Sequence, residues 1–142
     1  MRISITPILV ALALSACGDS PTSTGNPIGG PANESAEVVL AIGQEVRVDS
    51  LLRLSVTGVP QDSRCALQAM CVWAGDGAVA IAYGIGMGPS YPDTLHTMLD
   101  PKATAFGGYR LTLVELAPYP VVPGGIKPED YRATIRVERL PG

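Results

Sequence analysis

The stretch DSRCALQAMCVWAGDG, residues 62–77, carries two of the three cysteines and the only tryptophan of the chain. Cys65 and Cys71 enclose five residues. That spacing is too wide for a redox C-x-x-C pair, and no second Cys/His pair completes a zinc site. In an exported protein it predicts a local disulfide. Weak β patterns lie on either side, so we expect strands packed around this loop.

Trp73 follows the second cysteine by two residues, at the start of an alternating apolar run. We interpret it as a core residue packed on the disulfide, because a domain so poor in aromatic residues needs its largest ring inside. The alternative is an exposed platform for a ligand ring. Asp62 and Arg64 flank the loop, and we expect them to cap its turn or pair with each other. A binding role is the alternative for both.

Two pieces of this stretch form a known motif. Residues 62–65 read D-S-R-C, and residues 71–75 read C-V-W-A-G. Together they resemble the D-S-R-C-P…C-x-W-x-G motif of small secreted or lipid-anchored bacterial domains of uncharacterised function, with Gly75 as the final motif residue and Ala66 in place of the proline. The resemblance extends loosely over residues 38–140 and includes a Leu-x-Pro-x-Pro element at 116–120. It implies a β domain of the cell envelope and no enzyme activity.

The N-terminus has the layout of a secretory signal. Arg2 supplies a positive start, and the apolar run over residues 3–14 is too short to span a bilayer comfortably. Cys17 directly follows Leu-Ser-Ala and resembles the cysteine of a bacterial lipobox. The pattern predicts a signal peptide over residues 1–16 and an acylated Cys17 that anchors the protein to a membrane. The alternative is an ordinary signal peptide with a chance cysteine.

The predicted anchor also explains the odd cysteine count, since an even pair remains once Cys17 is lipidated. Cys17 is followed by Gly18, without the aspartate that retains lipoproteins at the inner membrane. We therefore expect an outer-membrane location if the cell has an outer membrane.

Residues 17–36 are rich in Gly, Pro, Ser, Thr and Asn, which predicts a disordered tether behind the lipidated cysteine. Residues 37–142 then form one domain. Without residues 1–16, nine Lys+Arg (ten minus Arg2) stand against thirteen Asp+Glu, a formal charge of −4. No basic patch is present in the sequence, which argues against nucleic acid as a partner.

The domain shows short segments of period two and no long helical period. This pattern predicts an all-β fold, either an antiparallel β-sandwich or a partly open barrel of about seven short strands. A proline-rich connection precedes the last strand, with a short helical turn expected at 126–130. The predicted strands cover residues 37–42, 45–49, 52–57, 78–85, 93–99, 109–116 and 131–138.

Catalytic motifs are absent from the sequence: it contains no G-x-S-x-G, H-E-x-x-H, Walker loop or C-x-x-C. We therefore predict no catalytic residue and no cofactor. One alternative is a hydrolase that uses the single histidine, His96, with a distant Ser and Asp. Another is copper handling, because His96 and Met98 are expected on one strand face, with Met70 and Met87 in neighbouring loops. The favoured interpretation makes Met98 core filler and His96 an ordinary, partly exposed residue.

Taken together, the patterns predict a lipid-anchored envelope protein with a non-catalytic binding or scaffolding domain. Its expected partners are the membrane, through Cys17, and an envelope protein or ligand. Copper handling and a hydrolase of unrecognised type are the alternatives. An exposed apolar patch around Tyr91, Tyr119 and the proline-rich loop would favour the binding role.

Overall fold

The computed structural model describes residues 34–122 and 124–142. The predicted signal peptide, the lipidation site Cys17 and nearly all of the predicted tether lie outside the described residues. The first strand begins at Ser35, two residues before the predicted domain boundary at 37.

Eight strands follow one another along the described chain. Alternating apolar residues place one face of most strands in the interior, most clearly in the last strand, where Ala133, Ile135 and Val137 are buried as the period of two predicts. The strands are β1 Ser35–Ala41, β2 Glu45–Arg47, β3 Leu52–Asp62, β4 Gly77–Ile85, β5 Tyr91–His96, β6 Ala103–Phe106, β7 Tyr109–Ala117 and β8 Arg132–Arg139.

The strands form two four-stranded antiparallel sheets, in the orders β1-β8-β7-β6 and β2-β3-β4-β5. Neither sheet closes on itself in the described part of the chain, so the fold is a β-sandwich rather than a barrel. Apolar side chains from both sheets make one core cluster. The fold class predicted from the sequence is therefore confirmed.

Two strands, β3 and β5, differ most from their predicted bounds, and one strand was not predicted. β3 continues past Gly58 and Pro60 to Asp62, because register shifts against β4 accommodate both residues. β5 begins and ends earlier than predicted, and Pro92 is tolerated because β5 lies at a sheet edge. The sequence reading missed β6, which forms a hairpin with β7 through Gly107 and Gly108, both with positive φ.

The helical turn expected at 126–130 is confirmed as a 3-10 turn over Pro128–Asp130. No helix within residues 34–122 and 124–142 is long and apolar enough to cross a membrane.

The strand register defines two ends of the sandwich. At the proximal end, where the described chain begins, Ser35 pairs with Glu138 and Tyr109 pairs with Arg139. At the distal end, Ala117 pairs with Arg132 in one sheet and Asp62 pairs with Gly77 in the other. The cysteine loop joins β3 to β4 and the proline-rich connection joins β7 to β8, so both lie at the distal end.

Candidate functional site

A buried ion pair supports the distal end. Asp62 ends β3, and Arg64 lies two residues further on. The Arg64 guanidinium binds the Asp62 carboxylate at two points, Nε to Oδ1 at 2.8 Å and Nη2 to Oδ2 at 2.6 Å. The two side chains are only 3% and 8% exposed. The prediction that these residues pair with each other is confirmed.

The same guanidinium fastens the proline-rich connection. Arg64 donates to the carbonyl oxygen of Leu116 and, over 2.9 Å, to that of Pro118. Its guanidinium carbon also lies 4.9 Å from the centre of the Tyr119 ring, a cation–π distance. One buried side chain therefore joins the end of β3 to the segment that follows β7.

The Asp62 carboxylate has a second partner residue, because the Tyr131 hydroxyl donates to its Oδ2 over 3.0 Å. Burial by itself would raise the pKa of Asp62, but hydrogen bonds from Arg64 and Tyr131 outweigh burial and hold that pKa below its usual value. Burial and the adjacent carboxylate raise the pKa of Tyr131 to about 12. The cluster is therefore an ionised pair capped by a neutral phenol at neutral pH.

The cysteine loop is closed as predicted. The sulfur atoms of Cys65 and Cys71 are bonded at 2.06 Å. Its two limbs are joined by backbone hydrogen bonds, from Ser63 to Asp76 over 2.7 Å and from Cys65 to Ala74 over 2.9 Å. Gly75 has a φ of +71°, and a Cβ there would lie 1.8 Å from the Ser63 carbonyl oxygen. Only glycine lets the two limbs approach so closely.

The closed loop lies against the proline-rich connection. The Leu67 amide donates to the Pro120 carbonyl over 3.0 Å, and the Val122 amide donates to the Gln68 side-chain oxygen over 3.2 Å. Two segments far apart in sequence thus form one surface at the distal end.

The interpretation of Trp73 as a core residue is wrong, because its side chain is 82% exposed. Trp73 precedes β4 by four residues, so the alternation of that strand does not govern it. The space at this end of the core is taken by other side chains: a Cβ at Gly77 would already meet Leu116 at 2.9 Å and Arg64 at 3.2 Å. The structure matches the alternative, in which the Trp73 ring is exposed.

Trp73 is one of several large apolar side chains exposed on these two segments. Met70 and Val72 are at least 90% exposed. We name the set the apolar tip: Leu67, Met70, Val72 and Trp73 from the cysteine loop, and Tyr119, Val121 and Val122 from the proline-rich connection. Tyr91 lies outside it, since it pairs with Tyr83 towards the proximal end and packs on Phe106 at 4.9 Å.

His96 lies beside the base of the cysteine loop. Its Nδ1 is 2.6 Å from an oxygen of the buried Asp76 carboxylate. The other carboxylate oxygen accepts from the amides of Met98 and Leu99 and from the Thr97 hydroxyl. Burial by itself would raise the pKa of Asp76, but the bond from His96 and these amides lower it to about 2.

The contacts of Asp76 bear on both alternatives that involve His96. Of the residues that a hydrolase would need, His96 and Asp76 are paired, but the Ser63 hydroxyl bonds the backbone of Asp76 and not the imidazole. For copper handling, β5 ends at His96, so Met98 does not share a strand face with it. Met98 is 54% exposed, and its interpretation as core filler is wrong, since the chain turns around Asp76 after β5. The described residues contain no group of three or more His, Cys, Asp or Glu placed to hold a metal.

The sequence did not predict a third buried carboxylate, at the proximal end. Asp49 accepts hydrogen bonds from the Tyr109 hydroxyl and, over 2.7 Å, from Arg139. Burial by itself would raise its pKa, but Tyr109, the amides of Leu51 and Leu52 and then Arg139 lower that pKa to about 2. The only local signal was an aspartate placed to cap the turn before β3.

Comparison with known proteins found no matching family model, and neither a characterised protein nor a solved structure of significant similarity.

Proposed function

We propose that this chain is a lipid-anchored protein of the bacterial envelope whose β-sandwich is a non-catalytic binding domain, with the apolar tip as its contact surface. The observation that carries the proposal is the exposure of Trp73 on a loop closed by a disulfide. Soluble monomers rarely expose apolar side chains together in this way, and such exposure marks interaction surfaces.

The scaffold beneath the tip supports a dedicated role. An ion pair withdrawn from water, a disulfide and a glycine that no other residue can replace all act on the two segments that carry the exposed side chains. A buried ion pair is costly to desolvate and adds little net stability, but it fixes geometry. We infer that the geometry it fixes is that of the tip.

The envelope location and the lipid anchor are supported by the sequence. Residues 1–16 have the order of a signal peptide, and Cys17 follows Leu-Ser-Ala. A pair of disulfide-bonded cysteines agrees with an oxidising compartment. The resemblance of residues 62–75 to envelope domains of bacteria points in the same direction.

The test uses two highly exposed methionines at opposite ends of the described domain. Met70 lies in the tip, whereas Met87 lies in the turn after β4, at the proximal end; both are over 90% exposed. The Cys17→Ala chain, immobilised and exposed to envelope vesicles prepared without detergent, is expected to retain them. Met70→Asp should abolish that retention and Met87→Asp should preserve it. If Met70→Asp leaves retention unchanged, or if the parent chain retains nothing, a binding role for the tip is contradicted.

A further inference from the structure

We infer that the surface bound by the apolar tip is a lipid bilayer, an inference that rests on the proposed function. The tip enters the headgroup region of the membrane to which Cys17 is anchored, and so sets the orientation of the sandwich on it.

The first observation is the absence of charge. Residues 65–75 and 117–126 contain no Asp, Glu, Lys, Arg or His, although 16% of the chain is charged. The charged residues that bound the cysteine loop, Arg64 and Asp76, are buried beneath it and already paired. The exposed Lys127 directly follows the second segment, so the charge-free surface ends there. Two adjacent loops that carry no formal charge of their own match a medium in which a charge is costly.

The second observation is the kind of side chain that is exposed. Trp73 and Tyr119 are the aromatic residues of the two segments, and each joins an apolar ring to one polar group. Such side chains concentrate where the acyl chains meet the headgroups. Leu67, Met70 and Val72 supply the purely apolar part of the surface.

A protein partner fits the tip less well. Protein interfaces carry about one hydrogen bond per 100–200 Å², which requires side chains that donate or accept at defined positions. In the cysteine loop, residues 65–75, the only amide side chain is Gln68, and its oxygen already accepts from Val122. A lipid surface needs no such matching groups.

The length of chain before the sandwich permits this orientation. The tip lies at the distal end, whereas the described chain begins at the proximal end, about 30 Å away for strands of nine residues. Seventeen residues, 18–34, separate Cys17 from β1. Fully extended, they reach about 60 Å. A lipidated Cys17 and the tip can therefore contact the same membrane.

The depth of entry is limited by the loop backbone. The amides of Cys65, Leu67 and Ala69 are bonded within the protein. Other exposed parts of the loop still require water or headgroups, because an unsatisfied backbone group is costly in hydrocarbon. The tip is therefore an interfacial element and does not span the bilayer.

The chain supplies its own probe, since Trp73 is the only tryptophan. The experiment uses the Cys17→Ala chain, so that no acyl chain contributes, with vesicles of phosphatidylethanolamine and phosphatidylglycerol. We expect the Trp73 emission to move to shorter wavelength as lipid is added, and to be quenched by lipids brominated on the upper acyl chain. The change should not weaken at high salt, because the tip carries no charge whose attraction to the lipid salt could screen.

The lipid concentration is raised to about 10 mM. This exceeds the millimolar effective concentration at which a short flexible tether holds an anchored domain near its membrane. Met70→Asp and Val72→Asp should weaken the partition at least about tenfold, since each places a charge in the tip. Met87→Asp is the matched control and should leave it unchanged. All three side chains are exposed, so we expect the substitutions to leave the fold intact. Unfolding by urea verifies that each variant is folded.

Two outcomes overturn the inference. One is a Trp73 emission that does not respond to lipid at any concentration. If retention of the envelope vesicles still depends on Met70, the partner is then a protein, and the proposed function stands without the bilayer. The other is an emission change that Met70→Asp and Val72→Asp leave intact, which would mean that another surface meets the lipid.

Discussion

Arg64 and Asp62, separated in sequence only by Ser63, form a two-point ion pair that is almost completely withdrawn from water. The pair lies where β3 gives way to the cysteine loop, and Arg64 reaches across to the carbonyl oxygens of Leu116 and Pro118. Removing the arginine would leave a buried carboxylate with one remaining side-chain donor, Tyr131.

Replacement of the arginine should therefore be severe. Arg64→Met is expected to lower the free energy of unfolding by about 3 kcal/mol or more, the usual cost of an uncompensated buried charge. The measurement is urea denaturation at pH 7. Because the second change removes that charge, Asp62→Asn combined with Arg64→Met should lose less than the sum of the two single variants. Strict additivity would contradict a coupled pair.

Gly75 should not tolerate a side chain. In Gly75→Ala the new Cβ meets the Ser63 carbonyl oxygen and φ is +71°, so we expect the limbs of the loop to separate, with a loss of about 3 kcal/mol. Gly43→Ala is the matched control, because Gly43 has a φ of +82° and open space around it. That variant should lose only about 1 kcal/mol. Equal losses would show that the close approach to Ser63 is unimportant.

Removing the disulfide should have a moderate effect. The bond closes a loop of seven residues, and chain entropy predicts that Cys65→Ala with Cys71→Ala lowers the free energy of unfolding by about 2 kcal/mol. The effect is measured by comparing the denaturation midpoint of the disulfide-bonded protein with that of the double alanine variant. An unchanged midpoint would contradict a stabilising role.

Stability should fall in acid. Asp49 and Asp76 each have a pKa lowered from 3.8 to about 2. A lowered pKa in the folded state stabilises the protein above the unfolded value, and that contribution is lost as the pH falls towards the folded value. We therefore expect the free energy of unfolding to be level above about pH 5 and to decline between pH 4 and 2. Urea denaturation across this range measures it. Asp49→Asn should show a shallower decline, and an unaltered slope would exclude Asp49 as a source.

Membrane attachment should require Cys17. In the producing cell, Cys17→Ala is expected to move the protein from the membrane fraction to the soluble fraction, since contact through the tip alone is weak once the sample is diluted. The variant with Cys65→Ala and Cys71→Ala serves as the thiol control and should stay with the membrane. If the Cys17 variant sediments with membranes as the parent chain does, the anchor lies elsewhere.

Much of the fold could be predicted because strand burial is a local property. In β8 the odd-numbered residues are apolar and buried, and the alternation alone showed which face turns inward. The hairpin of β6 and β7 was missed because β6 has only four residues, too few for a clear period. Its Gly107-Gly108 turn was the usable signal.

The candidate site was less predictable, because it depends on residues brought together from distant parts of the chain. The resemblance included Asp62, Arg64 and the element at 116–120, but it did not show that Arg64 donates to Leu116 and Pro118. Nor did it show that Tyr131 donates to Asp62. Nothing in the local pattern linked Asp49 to Arg139, ninety positions later.

The sequence by itself determined seven of the eight strands, the all-β class and the pairing of Cys65 with Cys71, because alternation and short cysteine spacing act over a few residues. Only the tertiary structure decided that Trp73 faces water. Outside a strand, no period dictates where a side chain points, and its burial depends on whether the opposing sheet leaves room for it. Here Leu116 and Arg64 already fill the distal end of the core, so the tryptophan remains on the surface.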